Sequence, residues 1–330
     1  MNTGPLSKGG VAGGICAVQY NPRMQFLFLF MDGVGLGAED VENNPLATAR
    51  MPNLEQLLGG KRLLAGNAPL ESSRATLVPL DANMGVEGLP QSATGQASLV
   101  SGMNVPARIG EHFGPKPNQA VRDELDAGNL FKALTQRGYK TALLNAYPER
   151  YFQAIESGKR LLSAIPYAIT SAGIPLKNAE DLMAGEAFSA DFTGQAWRER
   201  LGYSDAPVMG RAEAGRKLAE VTQSYDLAFF EFWLSDYVGH HQDHAGAKEL
   251  LEHFDEVLGG LLASWQDAEG LILITSDHGN IEDLSTRRHT LNPVPGLVVG
   301  EKALREQFCA GLEDISQIAP AILQFYPDRA

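Results

Sequence analysis

The chain has 330 residues, of which 44% are hydrophobic and 20% charged, the composition of a globular protein with a substantial core. Its formal net charge of −13 argues against nonspecific nucleic-acid or anionic-membrane binding, which needs a basic face, so we expect neither partner. No apolar run reaches the ~18 to 20 residues of a membrane helix, and Gln25 to Met31 is too short for a signal peptide. Two cysteines cannot form a disulfide framework and fit a reducing compartment, so we expect a cytoplasmic protein.

The predicted elements alternate between short apolar strands and helices, which is typical of an α/β fold. Residues 1–23 are rich in glycine and have little periodicity, so we expect a loose tail, and Met24 could be the natural start. Strands are then predicted at 26–31, 141–144, 227–233, 271–275 and 293–299, and helices at 129–137, 212–221, 247–265 and 315–325. Continuously apolar strands are buried on both faces. The pattern therefore predicts a three-layer sandwich with a central, mainly parallel sheet.

One stretch in the middle of the chain has a different texture. Residues 149–205 contain helical fragments and several basic groups but no strong strand pattern. We interpret them as a small inserted cap. The core is then built from residues 24–148 and 206–330.

Acidic or histidine side chains lie close to the ends of several predicted strands, and a serine precedes a run of small residues. In open α/β sheets, ligands bind beyond the carboxyl ends of the strands. The candidate site residues are, in chain order, Asp32, Ser92, Asp236, His240, Asp277, His278 and His289. Carboxylates, imidazoles and a hydroxyl are the ligands that a pair of divalent ions needs for phosphoryl transfer.

Each of these residues also has an ordinary structural interpretation. Asp32 after a strand could be a helix cap, and Ser92 in a Ser/Gly-rich loop could be a turn residue. Asp236 and His240 could form a solvated turn, and His289 beside two arginines could lie at the surface. Their joint occurrence favours the metal site.

Five segments carry a resemblance to a known family. MDGVGLG, SATGQASLVSG, DYVGH, TSDHGN and HTLNPVP resemble, in order, the motifs of the alkaline phosphatase superfamily. They are most similar to its cofactor-independent phosphoglycerate mutase and phosphopentomutase branch. The resemblance covers roughly 24–148 and 206–330 and leaves out the predicted cap.

The resemblance implies two metal sites that share one pocket. The family pattern assigns one ion to Asp32, Ser92, Asp277 and His278, and the other to Asp236, His240 and His289. It makes Ser92 the nucleophile. Mn²⁺ is the metal favoured by the mutase branch, and Zn²⁺ suits the same ligand types.

The chain also departs from the mutase branch. Gln96 stands where that branch usually has histidine, and the predicted cap does not match the large mutase cap. We therefore expect a phosphomonoesterase that acts on small phosphate esters through a phosphoserine intermediate. The alternatives are a phosphomutase of phosphoglycerate or sugar phosphates, and a metal-binding protein without catalysis.

Three basic residues are candidates for binding the substrate. Arg108 and His112 lie in the segment that follows the nucleophile, and Arg160 lies in the predicted cap. Without geometry, a solvated surface group is the favoured interpretation of each.

Overall fold

A computed structural model describes Met1 and residues 24–329 of the chain, so the predicted tail falls outside the described part except for Met1. Its sheet has seven strands in the order β2-β3-β7-β6-β1-β5-β4. The strands are β1 (Gln25–Met31), β2 (Leu70–Glu71), β3 (Ala75–Leu80), β4 (Thr141–Leu143), β5 (Leu227–Phe232), β6 (Gly270–Thr275) and β7 (Val294–Val299).

The sheet is mixed but mainly parallel. β4, β5, β1 and β6 pair in parallel, whereas β7 is antiparallel to β6 and to β3, and β2 is antiparallel to β3. Because β7 is antiparallel to both β6 and β3, strand β3 runs in the same direction as β6. Five of the seven strands therefore point the same way. This confirms the predicted α/β sandwich.

Fourteen helices and three short 3₁₀ turns surround or extend the sheet within residues 24–329. The helices are α1 (Pro52–Leu57), α2 (Ser92–Ser101), α3 (Val105–Ile109), α4 (Gln119–Ala127), α5 (Leu130–Gln136), α6 (Glu149–Glu156), α7 (Ala164–Ser171), α8 (Ala179–Met183), α9 (Gln195–Arg200), α10 (Arg211–Thr222), α11 (Leu234–His241), α12 (His244–Ser264), α13 (Lys302–Cys309) and α14 (Ile318–Leu323). The 3₁₀ turns are Pro45–Ala47, Ala65–Asn67 and Ile315–Gln317. No helix in this part of the chain is both long and apolar enough to cross a bilayer.

The central strand β1 explains why the sheet is covered on both faces. Its side chains alternate between the two faces, and almost all of them are apolar and buried. Phe26, Phe28 and Phe30 pack in the core beneath α2, α5 and α7. Leu27 and Leu29 pack in the opposite core, beneath α10 and α12. A strand with apolar side chains on both of its faces therefore needs two helical layers.

The structure corrects several sequence predictions. β2 and β3 are strands that the sequence analysis did not find, because the first has two residues and Pro79 interrupts the β pattern of the second. Ser92, expected in a loop, is the first residue of α2. The predicted helix 315–325 is divided into a 3₁₀ turn and α14, which accommodates Pro320 in its first turn.

The stretch predicted as a cap consists of α6 to α9 and their connections. A small apolar cluster lies in this stretch and at its two borders, made of Ala146, Leu182, Ala187, Trp197 and Ala206. Helix α7, in the same stretch, instead contributes Ala164, Ile165, Ala168 and Ile169 to the core beneath α2. Part of this stretch therefore packs as one body with the sandwich.

Candidate metal centre

Three aspartates meet at one edge of the sheet because their strands are parallel neighbours. Asp32 directly follows β1, Asp277 follows β6, and Asp236 lies in the first turn of α11 behind β5. In the sheet, β1 lies between β6 and β5. The carboxyl ends of these strands therefore bring together residues that are more than 200 positions apart.

Ser92 reaches the same edge through a close approach of α2 to the loop after β6. Gly95 makes this approach possible, since a Cβ there would lie 2.8 Å from the Asp277 carbonyl oxygen. The Ser92 Oγ lies 3.1 Å from His278 Nε2. Because Ser92 is the first residue of a ten-residue helix, its hydroxyl also lies in the positive field of the helix N-terminus.

The side chains predicted for the first metal form a compact group. His278 Nε2 lies 3.5 Å from Asp32 Oδ1 and 3.5 Å from Asp277 Oδ2. Ligand atoms of Asp32, Asp277 and His278 all lie within 4.8 Å of one another, and all three residues are buried.

The side chains predicted for the second metal are equally close. Asp236 Oδ2 lies 3.2 Å from His240 Nε2, and Asp236 Oδ1 lies 3.7 Å from His289 Nε2. His278 is also close to this second group, because its ring stacks on that of His289 with the centroids 3.6 Å apart. The two groups therefore adjoin and form one cluster.

Backbone carbonyls orient two of the imidazoles. His289 Nδ1 lies 2.6 Å from the Pro90 oxygen, and His240 Nδ1 lies 2.8 Å from the Arg287 oxygen. A carbonyl oxygen can only accept, so each Nδ1 carries a proton, and in the neutral imidazole each Nε2 keeps a lone pair. The two Nε2 atoms lie 3.2 Å apart. Two facing lone pairs repel each other unless a cation lies between them.

The negative charges of Asp32 and Asp277 are also poorly compensated by the protein itself. Burial, followed by the charges of Asp277 and Asp236, raises the pKa of Asp32 well above its usual range. Burial and then Asp236 raise the pKa of Asp277 to about 7. One oxygen on each of these three aspartates has no hydrogen-bond partner among the described residues. Buried, unpaired carboxylate oxygens beside imidazole lone pairs fit divalent cations.

Glu282, which the sequence analysis missed, connects three of the motif segments. Its buried carboxylate accepts hydrogen bonds from the Gly35 and Asn280 amides, each 2.8 Å long, and from the Thr290 hydroxyl. A side chain at Gly35 would collide with this carboxylate. The only sequence signal was an acidic residue close to TSDHGN, which is weak without the fold.

A cavity of about 320 Å³ opens directly above Asp32 and Ser92. Its walls include Lys116, Tyr147, Arg160 and Glu231. Burial raises the pKa of Glu231 to about 7, although the nearby Lys116 ammonium opposes this shift. The sequence signal for Glu231 was a single acidic residue within an otherwise apolar strand, where burial of a charge is costly.

The three predicted substrate contacts are placed differently. Arg160 lines the cavity above Ser92. His112 lies in a neighbouring cleft that His240 and His289 also line. Arg108 lines neither of these two spaces and forms a half-exposed ion pair with Glu124, in which Nε and Oε2 are 2.6 Å apart.

Comparison with known families supports the metal-binding interpretation. The model of the Metalloenzyme superfamily matches residues 193–326. Five of the seven candidate residues lie in this range, in three motifs: Asp236 with His240, Asp277 with His278, and His289. The 2,3-bisphosphoglycerate-independent phosphoglycerate mutases of Coxiella burnetii and Yersinia pestis are 34% identical to the chain over 130 residues. That segment is 37% of this chain. It covers only 24% of the Coxiella burnetii protein and 25% of the Yersinia pestis protein.

Solved structures share the fold at low sequence identity. The PH0037 protein of Pyrococcus horikoshii superposes with a TM-score of 0.56 and 16% identity, over 93% of this chain and 98% of that one. The alkaline phosphatase of the Antarctic bacterium TAB5 has a TM-score of 0.52 and 14% identity, over 93% and 99% of the two chains.

The fold and the matched motifs define a metalloenzyme-type α/β sandwich. These findings support the sequence prediction of an alkaline phosphatase superfamily member near the cofactor-independent phosphoglycerate mutases. The match to the Metalloenzyme superfamily implies divalent metal ions.

Proposed function

We propose that the protein is a metal-dependent phosphomonoesterase that acts through a phosphoserine at Ser92. The observation that carries this proposal is the position of the Ser92 hydroxyl. It lies at the N-terminus of α2, 3.1 Å from His278 and at the base of an open cavity. A nucleophile, a helix N-terminus and a cluster of metal-ligand side chains then face the same space.

We assign the metal ligands as the family pattern does. Asp32, Ser92, Asp277 and His278 would hold one ion, and Asp236, His240 and His289 the other. The first set is rich in oxygen, which suits Mn²⁺, and the second suits Mn²⁺ or Zn²⁺. We favour Mn²⁺ at both positions because the matched relatives are phosphoglycerate mutases.

The chain's own groups account for binding, attack and hydrolysis. Bound divalent cations would lower the pKa of the Ser92 hydroxyl and neutralise charge on the phosphoryl oxygens. Lys116 and Arg160 add positive charge to the cavity wall and hold the ester. Ser92 Oγ forms a bond to phosphorus as the bond to the leaving alcohol breaks. Water then attacks the phosphoserine, which releases inorganic phosphate and regenerates the serine.

Transfer to water is favoured over transfer to a retained product. The cavity rim includes Trp233 and Tyr237, whose side chains are 44% and 55% exposed, so solvent reaches the site. We interpret residues 149–205 as a small cap that covers the site only partly. A mutase must instead hold its product until the phosphoryl group returns.

The test is Ser92→Ala with p-nitrophenyl phosphate in the presence of Mn²⁺ or Zn²⁺. We expect a loss of at least about 10³-fold in kcat, since removal of a nucleophile eliminates the covalent route. Ser101→Ala, at the other end of the same helix, is the matched control and should keep activity. Acid quenching during turnover should trap a phosphate on Ser92 that mass spectrometry detects. Full activity in Ser92→Ala would refute the proposal.

A phosphomutase is the second candidate, because the curated relatives are phosphoglycerate mutases. Inorganic phosphate release and isomer formation from 3-phosphoglycerate separate the two activities in one assay. A metal-binding protein without catalysis is the third candidate. It would bind Mn²⁺ with no turnover of any phosphate ester. A cytoplasmic location remains a prediction.

A further inference from the structure

A second and larger cavity adjoins the one above Ser92. Its volume is about 570 Å³, compared with about 320 Å³ for the first. The two share the walls formed by Tyr147, Tyr151, Arg160 and Trp233. A molecule whose phosphate lies at Ser92 can therefore extend directly into the larger space.

The walls of this second cavity offer flat apolar surfaces. The rings of Tyr147 and Tyr151 are stacked, with centroids 4.4 Å apart and planes at 29°. Trp197 is a buried residue of the cavity wall, and Trp233, which is 44% exposed, lines both cavities. Aromatic faces of this kind bind planar rings by offset stacking or edge contacts, beyond what their area alone provides.

The cavity also concentrates positive charge in a chain whose net charge is −13. Arg150, Arg160 and Arg200 line it, and none of the three has an ion-pair partner among residues 24–329. Arg160 lies over the Tyr151 ring, with its guanidinium carbon 4.8 Å from the centroid. The single acidic residue in the wall, Asp191, already accepts hydrogen bonds from Ser189 and Thr193. These arginines are therefore free to bind an anion.

We propose that this cavity binds the leaving group of the substrate, and that this group is a planar aromatic or heteroaromatic ring with its own negative charge. The inference rests on the proposed phosphomonoesterase function, since Ser92 defines where the phosphate lies. The ring would pack between the tyrosine pair and the tryptophans. The second anionic group would be held by Arg150 and Arg200, which supply planar, bidentate donors.

The experiment compares three phosphonates that cannot be hydrolysed, measured by titration calorimetry on the Mn²⁺-loaded protein. We expect benzylphosphonate to bind at least tenfold more tightly than methylphosphonate. A further fivefold gain is expected for 4-carboxybenzylphosphonate. Equal affinities for the three compounds would overturn the inference, since phosphonate binding alone would then explain them.

Two variants locate the effect within the cavity. Trp233→Ala should reduce the preference for the ring about tenfold, and Arg200→Ala should remove the preference for the carboxylate. Arg211→Ala is the control, because its side chain pairs with Glu256 on the surface and lines neither cavity. If both cavity variants kept the preferences for the ring and for the carboxylate to the same extent as Arg211→Ala, the inference would be overturned.

The measurement also separates this inference from the proposed function. Suppose that Trp233→Ala and Arg200→Ala weaken the selective binding but Ser92→Ala keeps full turnover. The ring-binding cavity would then stand, and the serine mechanism would be refuted. Loss of turnover in Ser92→Ala without ring selectivity would keep the phosphatase and remove the leaving-group site.

Discussion

Replacing Asp277 by asparagine should change stability in opposite directions with and without metal. Asp277 is fully buried at the centre of the site, 3.5 Å from His278. Burial, and then the Asp236 carboxylate, raise its pKa to about 7. A raised carboxyl pKa means that the folded chain holds the proton more tightly than the unfolded chain. The stability from this group is therefore present at low pH and is lost as the pH rises through 7.

The magnitude follows from this pKa. Relative to an ordinary aspartate near 3.8, a value of about 7 means that an ionised Asp277 at pH 8 costs on the order of 4 kcal/mol of folding free energy. Asparagine carries no charge and avoids this cost. For a chain of 330 residues, an unfolding entropy of about 2.1 cal/mol/K per residue converts 4 kcal/mol into roughly 6 °C of melting temperature.

Metal binding acts in the other direction. A cation at 1,000 times its dissociation constant stabilises the folded state by about 4 kcal/mol, again roughly 6 °C here. Asp277→Asn removes a charged ligand and most of this gain. We therefore expect the wild type to melt at the higher temperature with Mn²⁺ at pH 8. After treatment with EDTA, the variant should melt at the same temperature or up to several degrees higher.

Differential scanning fluorimetry at pH 8 with EDTA or saturating Mn²⁺ measures both differences. Asp205→Asn, a substitution of an exposed aspartate, is the matched control and should melt like the wild type in both buffers. If the metal-free variant melted well below the metal-free wild type, Asp277 would not be a destabilising carboxylate. If Mn²⁺ raised the melting temperature of both proteins equally, Asp277 would not be a ligand.

Three further predictions concern the supports of the site and the core. In Gly239→Ala the new Cβ would overlap the Asn280 side chain, so urea unfolding should show a loss of about 1 to 3 kcal/mol, together with weaker Mn²⁺ binding by calorimetry. Arg305→Leu removes five hydrogen bonds of a fully buried guanidinium and should cost about 3 kcal/mol, with activity per folded molecule unchanged. Asp255→Asn replaces the buried carboxylate that accepts a hydrogen bond from the Leu54 amide at the start of α1, and it should cost about 1.5 to 3 kcal/mol in the same unfolding experiment. An unchanged unfolding midpoint would show that this hydrogen bond does not stabilise the fold.

The site residues were accessible from the sequence because each motif is short and local. The strand followed by an acidic residue, as in FLFLFMD and LILITSD, appears in the sequence as an apolar run with a polar end. The structure brings all seven predicted residues to one edge of the sheet. Their roles as metal ligands and nucleophile remain predictions that the experiments above test.

Residues whose role depends on distant neighbours were not accessible in this way. In the sequence, Glu231 is a single acidic residue within an apolar strand. Only the tertiary structure places it beside Lys116 and Tyr147 in a cavity wall. Arg108 illustrates the opposite error. It follows the nucleophile segment closely in the chain, yet it lies in α3 and pairs with Glu124. Nearness in the chain does not determine the direction in which a helix presents a side chain.

The sequence by itself determined the layers of the fold and the chemical types at the site, because apolar periodicity and local motifs depend only on neighbouring residues. The tertiary structure decided the strand order, the entry of α2 beneath Asp277 at Gly95, and the aromatic cavity beside Ser92. These features arise from contacts between segments that are far apart in the chain. Their geometry depends on how whole layers pack, and no local pattern records it.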